Sequence, residues 1–483
     1  MVELPYNMTK SKLLKFSQFA DCILPHEAHF LRRQNKFEDN QKMEILDMVI
    51  ENATTKNDKK TYDEDIDKRK YSYIKTWSQK LLTSLDVDQT LEKMLSWEKM
   101  ILTDALTQSE EKEILKLLKT SDSTHFNFVK LYHISRVYRH YLQIRLRYRD
   151  FDIVHQFIHK FRTDYEYSKL VNDKLHDATN DIINHYIHKK DTQNDWFTWL
   201  TTIFYNETLD GYNRLLAWIR LVFIAHNKKS YYLLEDKFLY FEKMVENGQF
   251  YSRRILVNFY SQYVLYYSSL QDFESAKYYG YLSIKEINND YLYYVNNLVA
   301  ILLRTKKPLE AYTILKSSSK YAKESPNFHN KIGHTAFTIF ALIDLQKSNQ
   351  AENHAFVFLT AYKKEIFDHR WHLFYTAYVK AMLLNGNHND IIKIFAQYKL
   401  TDKDELYAES ANYTPALPWI LHIAMYKKGN IHLEELKVNL SSLQSKRQEY
   451  NSTMGHDDLL ELTKTILKND FKKMGLENRV VVS

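Results

Sequence analysis

The sequence predicts an all-α chain in which antiparallel helix hairpins stack into an α-solenoid, with a smaller helical unit at the N-terminus. Three observations carry this. Only 8 Gly and 6 Pro occur in 483 residues, too few for the frequent turns that sandwiches, barrels and parallel sheets require. No Pro falls between Pro25 and Pro308, which permits long uninterrupted helices. In the C-terminal half, apolar residues recur at helical spacing in six separate stretches, each followed by a polar turn.

Along the chain, residues 1–52 read as the N-terminal unit. Leu13, Leu14, Phe16, Phe19 and Ile23 form one apolar stripe, Pro25 breaks it, and Phe37, Met43, Ile45, Leu46 and Val49 form a second. Residues 53–70 hold 6 basic and 5 acidic side chains and almost nothing apolar, so they read as a solvated linker or loop. Residues 71–207 carry amphipathic faces such as Trp77, Leu81 and Leu85 without a regular period, either diverged repeats or a separate helical region. Residues 208–440 form the repeat array, and 441–483 a terminal helix and tail.

Within the array the stripes begin at Leu215, Tyr260, Val295, Ala336, Phe374 and Trp419, spaced 45, 35, 41, 38 and 45 residues apart. The turns that follow include Thr305-Lys306-Lys307-Pro308, Lys347-Ser348-Asn349, Asn385-Gly386-Asn387 and Lys427-Lys428-Gly429-Asn430. Past each turn a second helix starts, often with small residues where two backbones approach: Ala276 and Gly280, Ala311, then Ala351 and Ala355. Pro308 sits where a first helical turn accepts it. The segment from Tyr260 to about Ser318, with its aromatic or apolar first helix, short turn and early Ala276 or Ala311, resembles the tetratricopeptide repeats. That resemblance implies a right-handed superhelix whose first helices line a concave surface for a peptide or partner helix. On that surface Gln262, Tyr266, Asn296 and Asn297 are expected to be exposed and to contact the partner.

Bulk properties exclude more than they assign. Lys and Arg total 67 against 60 Asp and Glu, a net charge of +7 that is mild for so long a chain. The single cysteine, Cys22, rules out an intrachain disulfide framework and multi-cysteine zinc sites, and suits a reducing compartment, with the cytoplasm as default. The first residues lack a basic stretch followed by an apolar core, and no run reaches the ~18 apolar residues of a membrane span. The closest pair of glycines, Gly455 and Gly475, is 20 residues apart. Phosphate-cradling loops, dinucleotide fingerprints and nucleophile elbows all need glycines within a few positions, so none can be written. No cofactor is expected.

No metal site is assigned either. His155 and His159, and His185 and His188, have spacings that could share a metal, but 20 histidines on helices generate such pairs by number alone. His176-Asp177 is followed by Ala178-Thr179 where helical HD-type phosphohydrolases carry Ile-Gly-like residues. The segment Arg149-Asp150-Phe151-Asp152-Ile153-Val154-His155 resembles the Arg-polar-four-residue-His motif of HEPN ribonucleases. This resemblance implies Arg149 steadying a scissile phosphate and His155 acting as general acid or base. The same region carries Arg136, Arg139, Arg145 and Arg147 interleaved with tyrosines, a pattern that could meet phosphates and stack on bases or form a solvated, ion-paired helix surface. The leading expectation is a non-catalytic scaffold that binds a protein or peptide; an RNA-cleaving or nucleic-acid-binding protein centred on residues 125–165 and using the Arg149 to His155 segment is the rival.

Overall fold

Helical periodicity becomes helix throughout. The structure, a computed structural model, describes residues 13–55, 59–188, 195–408, 413–445 and 454–474. Among the described residues every regular element is helical and there is no strand, as the composition predicts. Residues 1–12, 56–58 and 475–483, assigned above to the N-terminal unit, the linker and the tail, lie outside the described residues, as does the side chain of His188. The chain divides into two compact units, residues 3–269 and 270–483.

The first unit opens with α1 (Leu14–Cys22), α2 (Pro25–Gln34), α3 (Asn40–Thr54) and α4 (Lys68–Leu85). Pro25 starts α2, and the Glu27 carboxylate accepts the Leu24 N–H at 2.8 Å, closing that helix's first turn. Phe16, Leu31, Leu46 and Ile74 share one buried cluster. In the charged stretch, Asn52 holds Lys60 by a reciprocal amide pair of 2.8 and 3.0 Å. Next come α5 (Val87–Leu102), α6 (Gln108–Thr120), α7 (Phe128–Ile144), α8 (Tyr148–Lys160) and α9 (Arg162–His188), with Trp97, Ile114, Tyr138 and Phe157 in a common core. The unit ends with α10 (Trp196–Tyr205), α11 (Gly211–Lys228), α12 (Glu235–Glu246) and α13 (Arg253–Ser269). Trp218, Phe238, Phe241 and Phe259 interlock there at ring separations of 4.7 to 6.3 Å, within the range of favourable aromatic packing.

The second unit contains α14 (Phe273–Ser283), α15 (Tyr291–Arg304), α16 (Pro308–Glu324), α17 (Phe328–Asp344), α18 (Ser348–Asp368), α19 (Trp371–Leu384), α20 (His388–Tyr398), α21 (Leu400–Tyr407), α22 (Ala416–Lys427), α23 (Leu433–Ser445), α24 (Met454–Leu467) and α25 (Asn469–Met474). The first helices of successive hairpins touch in sequence: α15 packs on α17, α17 on α19 and α19 on α22. Each second helix sits on its own first helix and the following one, α16 on α15 and α17, α18 on α17 and α19.

The same turn closes four first helices. Lys306, Gln346, Gly386 and Gly429 take positive φ of 55, 59, 77 and 76°. The residue after each donates its N–H back five positions, to Leu302, Leu342, Met382 and Met425, at 2.8 to 3.0 Å. This is a Schellman closure repeated at intervals of 40, 40 and 43 residues. Two copies use glycine and two pay the modest strain of a left-handed Lys or Gln, which is how the chain makes sharp turns with so few glycines.

Candidate partner-binding groove

The four residues expected on a concave surface fall on two helices. Gln262 and Tyr266 belong to α13 in the first unit, Asn296 and Asn297 to α15 in the second. Tyr266 is 8% exposed, beside Phe238 at 5.1 Å, and Asn296 is 3% exposed; Gln262 and Asn297 are half-buried. Asn296 Nδ2 donates to the Asn330 carbonyl at 2.9 Å, tying α15 to α17. Helical spacing could not distinguish it from its half-buried neighbour, because the contact with α17 covers a wider arc than the apolar stripe.

Part of the first-helix face is also covered by the chain itself. Leu459 and Leu462 of α24 are buried in the cluster that contains Ile339, Ala381 and Ile423. Thr463 accepts the Trp419 indole N–H at 2.8 Å, while Asp458 pairs with Lys306 at 3.0 Å. α24 is thus bonded both to α22 and to the turn after α15. Burial, reinforced by Asp458 and Glu461, raises the pKa of Asp344 at the end of α17.

On the opposite side of α17 a groove of 780 Å³ runs between α16 and α18. Its floor is one stripe of α17: Lys331, His334, Thr335, Thr338 and Leu342, spaced at i, i+3, i+4, i+7 and i+11. Tyr312, Leu315 and Ser319 form one wall; His354, Phe358, Ala361 and Tyr362 form the other. The α18 wall bends at Tyr362, whose φ of −133° and ψ of 35° leave the helical range. Val357 and Phe356, 67% and 59% exposed, bring apolar surface to this helix where water would favour polar groups.

The electrostatics of the groove are one-sided. Lys316, Lys323 and Lys331 line it and no Asp or Glu does. Lys331 is 7% exposed, and its Nζ donates to the Lys323 carbonyl at 3.1 Å beside the rings of Phe328 and Tyr362. Among the described residues no carboxylate pairs with it, leaving two of its three N–H bonds without a protein acceptor. His334 Nε2 lies 3.1 Å from the Leu315 carbonyl and 3.0 Å from Ser318 Oγ. A carbonyl only accepts, so Nε2 carries the hydrogen. Burial pushes the His334 pKa down to about 4 and lowers that of His354, so both rings are neutral near pH 7 and the charge of the groove comes from its lysines.

The remaining sequence candidates lie on α7 and α8 and in the turn between them. Arg149 and His155 are both exposed on α8; six positions along one helix leaves them about 120° apart around its axis. His155 stacks on Phe151 at 5.6 Å. Arg145 pairs with Asp104 at 2.6 Å over the Tyr141 ring, and Arg147 pairs with Glu111 and Asp150. Arg136 is exposed and Arg139 half-buried. Half of the basic cluster is thus spent on neighbouring acids. His26, Glu242 and Glu246 place ligand atoms within 4.8 Å of one another. Each also has a protein partner: His26 bonds Tyr260 at 2.8 Å and Glu242 at 3.2 Å, and Glu246 pairs with Arg33 at 2.6 Å.

No protein-family model, curated protein or solved structure matches this chain.

Proposed function

We propose that the second unit is a solenoid of helix hairpins that acts as a non-catalytic binding module, and that the groove between α16 and α18 takes one acidic amphipathic helix of a partner protein. The observation that carries this reading is an open apolar groove lined by three lysines and no carboxylate, with the Lys331 ammonium buried and unpaired by acid. From Tyr312 to Lys323 the lining covers eleven helical steps, about 16 Å. Dividing 780 Å³ by that length gives a cross-section of about 50 Å², room for one row of side chains from a helix about 10 Å across but not for its whole cylinder. Helix-in-groove recognition works in this way, with apolar anchors every three to four residues seated between two helices. An acid on the edge of the incoming helix would reach Lys331 and use its idle donors. The solitary cysteine, Cys22, is unpaired and exposed, which suits a cytoplasmic setting; no helix among the described residues is long and apolar enough to cross a membrane.

The test uses a fluorescent 18-residue amphipathic Leu/Glu peptide and its Leu/Lys counterpart, with anisotropy measured against the full chain. The acidic peptide should bind and the basic one should not. Val357→Glu, at an exposed position that leaves packing intact, and Lys331→Met should each weaken binding by roughly tenfold or more, the value of one charge-assisted contact. Equal affinity for both peptides, or binding untouched by both substitutions, would sink the reading.

A further inference from the structure

Arg214 lies at the wall of a second cavity, of 430 Å³, inside the first unit. Six segments converge there: the end of α4, the start of α5, the first turns of α11, and the loops before α7, before α11 and after α12. The Arg214 side chain belongs to a residue only 5% exposed. Its Nε donates to the Phe204 carbonyl at 3.0 Å, and its Nη2 to Tyr240 Oη at 2.7 Å and to Met244 Sδ at 3.4 Å. The guanidinium also faces the Phe250 ring at 5.3 Å.

What it lacks is an anion. Among the described residues no carboxylate comes within ion-pair distance of Arg214, and the two hydrogens on Nη1 have no protein acceptor. The nearest acid in its network is one hydroxyl removed: Tyr240 accepts from Arg214 and donates to Glu207 at 2.8 Å. Burying a guanidinium is costly, and proteins ordinarily offset it with a paired carboxylate. His125 lines the same cavity and carries a second donor. His125 Nδ1 accepts the Asn127 backbone N–H at 3.1 Å, so the ring hydrogen sits on Nε2. Burial lowers the His125 pKa, keeping the ring neutral with Nε2–H available. Phe126 and Phe250 supply apolar lining beside these two donors.

We propose that this cavity binds a small carboxylate ligand, its two oxygens meeting Nη1 of Arg214 and Nε2–H of His125 and its apolar body resting on Phe126 and Phe250. With Nε and Nη2 already engaged, Nη1 is left to give one carboxylate oxygen a charge-assisted hydrogen bond. Glu207 lines the same cavity and repels charge, so a singly charged carboxylate fits better than a doubly charged phosphate.

The experiment titrates the full chain with phenylacetate and, separately, with phenyl phosphate, reading thermal midpoint and the side-chain 15N signals of Arg214. Phenylacetate should bind saturably, raise the midpoint and move the Arg214 signals. His125→Ala and Arg214→Lys should each weaken it by about tenfold, since each removes one charge-assisted or neutral donor from the oxyanion. Should Arg214→Lys fail to fold, His125→Ala carries the test alone. Absence of saturable phenylacetate binding, unchanged affinity in the folded variants, or tighter binding of phenyl phosphate would each overturn the proposal. None of these results bears on the groove of the second unit.

Discussion

Lys331 places its ammonium 3.1 Å from the carbonyl oxygen of Lys323, in the last turn of α16, with the Phe328 and Tyr362 rings at 5.0 and 5.4 Å. A cation at a helix C-terminus is favourable, and ring faces attract it further. Neither replaces a carboxylate. Lys331→Met keeps most of the stem and removes the buried charge, so unfolding free energy measured in urea should stay level or rise by about 1 kcal/mol. A loss above about 2 kcal/mol would show that the ammonium supports the fold and is not held ready for a partner.

His334 gives the second unit an acid-sensitive joint. Its folded pKa of about 4 lies below the ordinary value near 6.5. The unfolded chain therefore binds the proton first as pH falls. The stability that comes from holding this ring neutral is fully present above pH 6.5 and is lost as pH drops toward 4, by up to about 3 kcal/mol. Urea midpoints followed from pH 7 to 4.5 should decline, and His334→Gln should flatten that slope by close to one proton. An unchanged slope would mean the ring is hydrated in the folded state.

Gly280 separates two opposing effects. Alanine in the middle of a helix normally gains about 1 kcal/mol over glycine. Here a Cβ would stand 2.7 Å from Leu298 Cδ1 and 3.3 Å from its Cβ, and Leu298 is fully buried. Overpacking of that kind costs about 1–3 kcal/mol. Gly280→Ala should therefore destabilise the second unit, and a stabilised variant in thermal unfolding would show that α14 and α15 have slack between them.

Thr463 is where α24 is fastened. Its hydroxyl accepts from Trp419 Nε1 at 2.8 Å and donates to the Leu459 carbonyl at 2.7 Å, all out of solvent. Thr463→Val keeps the shape and removes the acceptor, with an expected loss of about 1–3 kcal/mol; Thr463→Ser should restore most of it. Calorimetry on the two variants distinguishes them, and equal midpoints would indicate that the indole finds another acceptor.

The helices were legible because stripes such as Val295, Leu298, Val299 and Leu302 are dictated by burial of one face, and all four are buried. The turns at Lys306, Gly386 and Gly429 fall within the polar tetrads and triads read from the sequence. What periodicity cannot show is which polar residue of a buried arc is sealed by a neighbouring helix. Asn296 is sealed where its side chain reaches Asn330, while Asn297 is half-buried. The groove was illegible for a related reason: Leu315, His334 and Phe358 come from three helices, and each alone reads as ordinary core. Likewise Arg214 resembles any surface arginine until Phe204, Tyr240 and Met244 close around it.

α24 has one more implication. As part of the same chain, it meets Trp419 and Lys306 at an effective concentration of order millimolar. A free segment present at micromolar levels would start roughly a thousandfold behind this resident rival. The surface beside Trp419 and Lys306 is therefore a seat already taken by the chain's own helix.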